Sequence, residues 1–170
     1  MKNRLGYILF YVILLLIQVV LSDFVNIGPY IYLCCLPLLV LYLPLDQHPV
    51  VSMLLAFLLG LTVDILCDGI PGLNAAAAVA LAAVRRPLYS AFFTRDSLDR
   101  ALIPTIQEVG ILRHANLIFS SLAVYFIVYI CLDAVGMESL TTTLLRLALS
   151  CIANLVLILA LDFFMLNTRE

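Results

Sequence analysis

Apolar positions fall in six runs, residues 5–21, 27–43, 50–66, 73–93, 115–132 and 143–166, separated by polar breaks that are short except at 94–114. A helix of about 20 mostly apolar residues, rising ~1.5 Å per residue, crosses a hydrocarbon layer about 30 Å thick. The pattern predicts an all-α, polytopic membrane helix bundle with six transmembrane helices, forming a single integral membrane domain over residues 1–170. In the second run Pro37, flanked by Pro29 and Pro44, predicts a kinked helix. The fourth run opens with a charge-free stretch over residues 73–84 only. Twelve residues reach just ~18 Å, so this helix is expected to continue through Arg85, Arg86 and Pro87 to Phe93. The first run follows Lys2 and Arg4 as a signal sequence would, but Ser22-Asp23-Phe24 offers no small-x-small cleavage site, so it is expected to remain as a span.

Composition strengthens this reading. Of 170 residues, 65% are hydrophobic and 12% charged, against about 45–50% and about 25% in soluble domains. A soluble enzyme, a disordered region and a secreted disulfide module are all poor fits. The net charge of −2 provides no clustered basic surface for phosphates, so no nucleic-acid partner is expected. The basic residues instead report topology, because short cytoplasmic loops hold the excess of Lys and Arg. With six spans and both termini cytoplasmic, Lys2, Arg4, Arg85, Arg86, Arg95, Arg100, Arg113 and Arg169 lie inside and Arg146 alone lies outside. Tyr7, Tyr42 and Tyr89 fall near the inner ends and Tyr30 and Tyr129 near the outer ends, where amphipathic rings anchor helices. Residues 89–114 mix charges with Leu98, Leu102, Ile103 and Ile106 and predict a broken amphipathic helix on the inner surface.

Reactive groups are sparse. The chain has no G-x-S-x-G, Walker A, H-E-x-x-H or dinucleotide fingerprint. His48 and His114 fall in inner loops, and Cys34, Cys35, Cys67, Cys131 and Cys151 lack metal-ligand spacing, so neither catalysis, a metal nor another cofactor is expected. Polar groups inside the apolar runs become the candidates, since burying them without a partner is costly.

Their densest cluster spans residues 60–74. Gly60, Asp64 and Asp68 follow i, i+4, i+8 spacing and share one helix face, with Gly60 permitting another backbone to approach. Asp64 is expected either to hydrogen-bond another helix or a partner and hold the turn, or to sit in the headgroup region. Asp68 adjoins the turn, and Gly69, Pro71 and Gly72 are turn residues. Asn74 opens an alanine-rich run in which Ala76/Ala80 and Ala78/Ala82 are small-x-x-x-small pairs, fitting a central packing helix or a partner-docking face. Arg85 and Arg86 are expected to anchor the helix at the inner surface, with reach into a polar cavity as the alternative. In the sixth run Arg146, Ser150 and Asn154 form a stripe expected to face protein; Gln18 and Asn116 have weaker claims.

Gly60-x-x-x-Asp64 followed by Ile70-Pro71-Gly72-Leu73-Asn74-Ala75-Ala76, in a six-run chain of this length, resembles the bacterial rod shape-determining MreD family. The turn and Arg85-Arg86-Pro87 look like its Bacteroidetes branch. The resemblance implies a noncatalytic inner-membrane scaffold of the peptidoglycan elongation machinery. Its implied partners are an MreC-like protein, RodA with a class B penicillin-binding protein, and the MreB cytoskeleton. It also implies a fold similar to the substrate-binding subunits of energy-coupling-factor transporters. Uptake of a vitamin-like small molecule is therefore the competing expectation, with Asn74, Asn154 and Arg146 as its polar residues.

Overall fold

A computed structural model describes residues 11–21, 31–44, 47–68, 70–93, 110–133 and 140–167, with the backbone alone at 68, 111, 140 and 162–167. The expectations for Tyr7, Tyr30, Gly69, residues 94–109, both chain ends and the side chain of Asp68 lie outside the described residues. Regular structure among the described residues is entirely helical. In chain order the helices are α1 (Tyr11–Leu21), α2 (Leu36–Leu41), α3 (Pro49–Val63), α4 (Leu73–Phe92), α5 (Ile111–Asp133) and α6 (Leu140–Asn167). Three stretches, Pro49–Cys67, Leu112–Asp133 and Thr141–Leu161, are long and apolar enough to cross a membrane. They mark the chain as a membrane protein.

The arrangement follows from side-chain size. On α3, Ser52, Ala56, Gly60 and Val63 are buried, and the first three repeat every four residues, making a smooth ridge on one face. Large side chains occupy the other face, where Val50, Leu54, Phe57 and Leu58 are exposed, as expected of a surface meeting lipid instead of water. α4 buries Asn74, Ala77, Ala78, Leu81, Arg85 and Tyr89 along one side and packs between α3 and α5, while α5 also carries α6. Of the alanines predicted to pack, Ala78 and Ala82 are buried and Ala76 and Ala80 half-buried. The core fills the space around α2, which touches α3, α4 and α5; it includes Leu36, Leu38, Leu39, Leu81, Leu117, Leu122 and Phe126.

The second run departs from its predicted kinked helix. Residues 31–35 are non-helical, and only the six residues of α2 coil after them. Pro37 explains where the helix begins, because proline fits the first turn, whose N–H groups lack intrahelical acceptors anyway. Inside a longer helix it would leave the Leu33 carbonyl without its donor and cost about 3 kcal/mol. Smaller shifts occur elsewhere. α5 begins four residues before its expected start, and α3 widens after Val63 into a π turn, Asp64–Asp68, which ends the i, i+4 register predicted to reach Asp68.

Candidate functional site

The densest polar unit joins α3 to the start of α4. A Cβ placed on Gly60 would lie 2.5 Å from the Ala75 Cα and 2.7 Å from the Ala75 nitrogen. Both are backbone atoms that cannot swing aside, so glycine is what lets the first turn of α4 rest on α3. That close approach brings the open N–H groups of α4 to the carboxylate one turn farther along α3. Asp64 Oδ1 accepts from the Asn74 backbone N–H and the Asn74 Nδ2, each at 2.9 Å. Asp64 Oδ2 accepts from the Gly72 N–H at 2.8 Å and the Ala75 N–H at 3.2 Å. An N-cap side chain ordinarily serves the second and third N–H groups of its own helix. Here the N-cap is Gly72, which has no side chain and sits at φ +113°, a conformation suited to glycine. Asp64 therefore caps α4 from the preceding helix. The helix dipole favours a negative group there.

Asn74 continues the network. Its Oδ1 accepts from the Tyr125 hydroxyl of α5, and its amide also lies 3.3 Å from the Tyr32 hydroxyl. The Tyr125 hydroxyl is in turn 3.4 Å from the Cys34 Sγ. Tyr32 stacks on Tyr129 with ring centroids 4.7 Å apart. Asp64, Asn74, Tyr125 and Cys34 are all buried.

Residues 31–35 complete the unit. Asn154 of α6 donates from Nδ2 to the Tyr32 carbonyl at 2.6 Å and accepts at Oδ1 from the Cys34 N–H at 2.7 Å. Ser150, one turn away, accepts from the Tyr32 N–H at 3.1 Å. On the opposite side Gln18 of α1 accepts from the Cys35 N–H and donates to the Leu33 carbonyl at 3.5 Å. The backbone groups of Tyr32 and Cys34 turn to α6 and those of Leu33 and Cys35 to α1, an alternation like that of an extended chain. Two carboxamides thus take the place of neighbouring β-strands. Non-helical backbone at membrane depth requires such satisfaction by protein.

At the other end of α4, Arg85 is fully buried and does not take the surface position predicted for it. Its Nη1 donates to the carbonyls of Val40 at 3.0 Å and Leu43 at 2.7 Å, and its Nη2 donates to the Pro44 carbonyl at 2.9 Å and Ser52 Oγ at 3.2 Å. Tyr89 donates to the Leu41 carbonyl and Tyr11 to the Tyr42 carbonyl. The planar fork of arginine suits this cluster of carbonyls, which α2 leaves open at its C-terminus. Burial follows because α2 ends inside the bundle instead of at its surface. Arg86, by contrast, is exposed and donates to the Gln47 carbonyl at 2.6 Å.

The polar candidates of the sequence thus form two clusters. Gly60, Asp64, Gly72 and Asn74 come together, with Pro71 exposed in the adjoining turn. Arg85 and Arg86 serve the far end of the bundle. Ser52, Tyr32, Cys34 and Tyr125 join these clusters without having been expected there; the four-residue spacing that runs back from Gly60 through Ala56 to Ser52 is the signal in the sequence that marks Ser52. Arg146 pairs with Asp133 at 2.8 Å across the α5–α6 hairpin. The five cysteines are free thiols, and among the described residues no three His, Cys, Asp or Glu side chains gather as a metal site would require. The arrangement binds helix ends and backbone. Comparisons with protein-family models, with curated proteins and with solved structures each find no match.

Proposed function

We propose that this protein is a noncatalytic, six-span scaffold of the bacterial inner membrane, with cytoplasmic termini, acting in the peptidoglycan elongation machinery as MreD-like proteins do. Its direct partner in this reading is an MreC-like membrane protein, with RodA, a class B penicillin-binding protein and the MreB cytoskeleton in the same assembly. The observation that carries the reading is the use made of Asp64. All four of its contacts are N–H donors of the turn and of α4, so the buried carboxylate spends its acceptors on architecture. The residues of the resemblance, Gly60, Asp64, Gly72 and Asn74, meet in that one joint. The uptake alternative draws less support, because Asn74, Asn154 and Arg146 are engaged within the chain.

Affinity-tagged protein isolated from its own cells in mild detergent tests the proposal. The expected result is co-purification of an MreC-like protein, together with rounding of rod-shaped cells on depletion. Recovery without any cell-wall protein, accompanied by saturable binding of a vitamin-like metabolite, would overturn it in favour of uptake.

A further inference from the structure

We propose that the exposed face of α5 is where two copies of this chain pair in the membrane, Asn116 of each copy hydrogen-bonding Asn116 of the other. The face lies opposite the core. Leu117, Ser121, Leu122 and Tyr125 turn inward and are buried, whereas Leu112, Asn116, Phe119 and Ile127 are exposed and Ala123 is half-buried among them. These five fall three or four positions apart and so form one stripe along the helix. Asn116 is its odd member. Its carboxamide is exposed and makes no hydrogen bond among the described residues; the nearby Ser120 hydroxyl bonds the Asn116 backbone carbonyl at 2.8 Å and leaves the side chain out.

Depth makes that exposure costly. From Asp133, whose pair with Arg146 marks one edge of the span, the helix runs about 25 Å back to Asn116. The apolar layer is about 30 Å thick, so the carboxamide lies inside it, about a turn short of the far edge. Lipid tails offer neither a donor nor an acceptor there, and a polar group without either is driven to find protein. A carboxamide is its own complement, since the oxygen of one accepts from the N–H of the other and the exchange is reciprocal across a two-fold axis. A second copy is therefore the occupant this face selects. An axis along the membrane normal keeps both copies in one orientation and sets each α5 beside its counterpart. α4 leaves room for the approach. Asn74, at its start, bonds Tyr125 in the later half of α5, so these two packed helices run antiparallel. Equal counts away from that bond bring Ala83 level with Asn116. Ala83 is exposed as well, and its methyl group lets a second helix come close.

Energy transfer in vesicles tests the pairing. Full-length protein, carrying a donor or an acceptor fluorophore on a C-terminal tag, is mixed in phosphatidylcholine–phosphatidylglycerol vesicles and diluted with lipid. The unaltered chain is expected to show transfer that depends linearly on acceptor fraction, as a dimer requires. Asn116→Leu is expected to raise the dissociation constant about tenfold, the scale of an interhelical hydrogen bond, and Asn116→Gln to keep most of the pairing. No transfer in the unaltered chain at any dilution, or an equal constant in Asn116→Leu, overturns the proposal. A cross-link locates the contact. With Cys131→Ala removing the exposed native thiol of α5, Ile127→Cys should give a covalent dimer on oxidation, and Phe57→Cys, exposed on α3, should give none. Failure at Ile127, or cross-linking at Phe57 instead, overturns the assignment to α5; if Asn116→Leu does not accumulate, this pair of variants decides.

Discussion

A hydrogen atom in place of a methyl group at position 60 sets the distance between two helices. Gly60→Ala puts a carbon within 2.5 Å of the Ala75 backbone, so α4 must move outward or the methyl must strain its neighbours. Overpacking of this kind costs about 1–3 kcal/mol. The same displacement lengthens the bonds to Asp64, and thermal unfolding in detergent should therefore show Gly60→Ala losing stability. An unchanged melting temperature would contradict the close contact. Asp64→Asn tests the joint from the other side. Each carboxylate oxygen accepts two N–H groups, and the amide replaces one oxygen with a donor aimed at donors. The expected loss is about 1–3 kcal/mol, with Asp64→Leu worse because no acceptor remains. Equal stabilities for Asn and Leu would show that the capping oxygens contribute nothing.

The elements are tied mainly at their ends. α2 has six residues, far below the ~12–15 at which an isolated helix becomes even marginal, so it persists through tertiary contacts. Its C-terminal carbonyls are held by Arg85, Tyr89 and Tyr11 from two other helices. Arg85→Leu leaves the Leu43 and Pro44 carbonyls without those donors and should destabilise by on the order of 3 kcal/mol, summing unsatisfied buried acceptors. Arg85→Lys should fall between, since an ammonium lacks the planar fork that spans several carbonyls. The check is hydrogen exchange at α2: faster exchange in the order Arg, Lys, Leu is expected, and identical exchange in all three would remove Arg85 as the cap. Arg146→Ala should change stability by no more than ~1 kcal/mol, because its pair with Asp133 is partly exposed.

At the scale of the whole molecule, α3, α4, α5 and α6 form a layered run in which each packs on the next, and α2 plugs the interior. Asp64 and Arg85 cap different helix ends and are not partners. Each lies among oriented peptide dipoles, Asp64 at the open N–H groups of the first turn of α4 and Arg85 at the open carbonyls after α2. This geometry places Arg86 and Asp133 at opposite ends of the bundle, separated by the length of α5. Single-cysteine variants Arg86→Cys and Asp133→Cys, in a chain with its native cysteines replaced by alanine, should react with a membrane-impermeant maleimide from opposite sides. Labelling of both from one side would remove the membrane crossing assigned to α5.

The amino-acid sequence alone determined that the chain is helical and apolar, where its long helices run, and that Gly60, Asp64 and Asn74 matter together. Those features are local: periodicity, run length and residue size act through neighbours a few positions apart. Tertiary structure decided the fate of the second run and of Arg85. Tyr32 depends on Asn154, 122 positions later, and Arg85 serves carbonyls more than 40 positions earlier. A kinked helix and a surface arginine are what these segments would adopt facing lipid and water. They take other forms because buried backbone groups bond to whichever side chains the fold brings near, and no local pattern records that encounter.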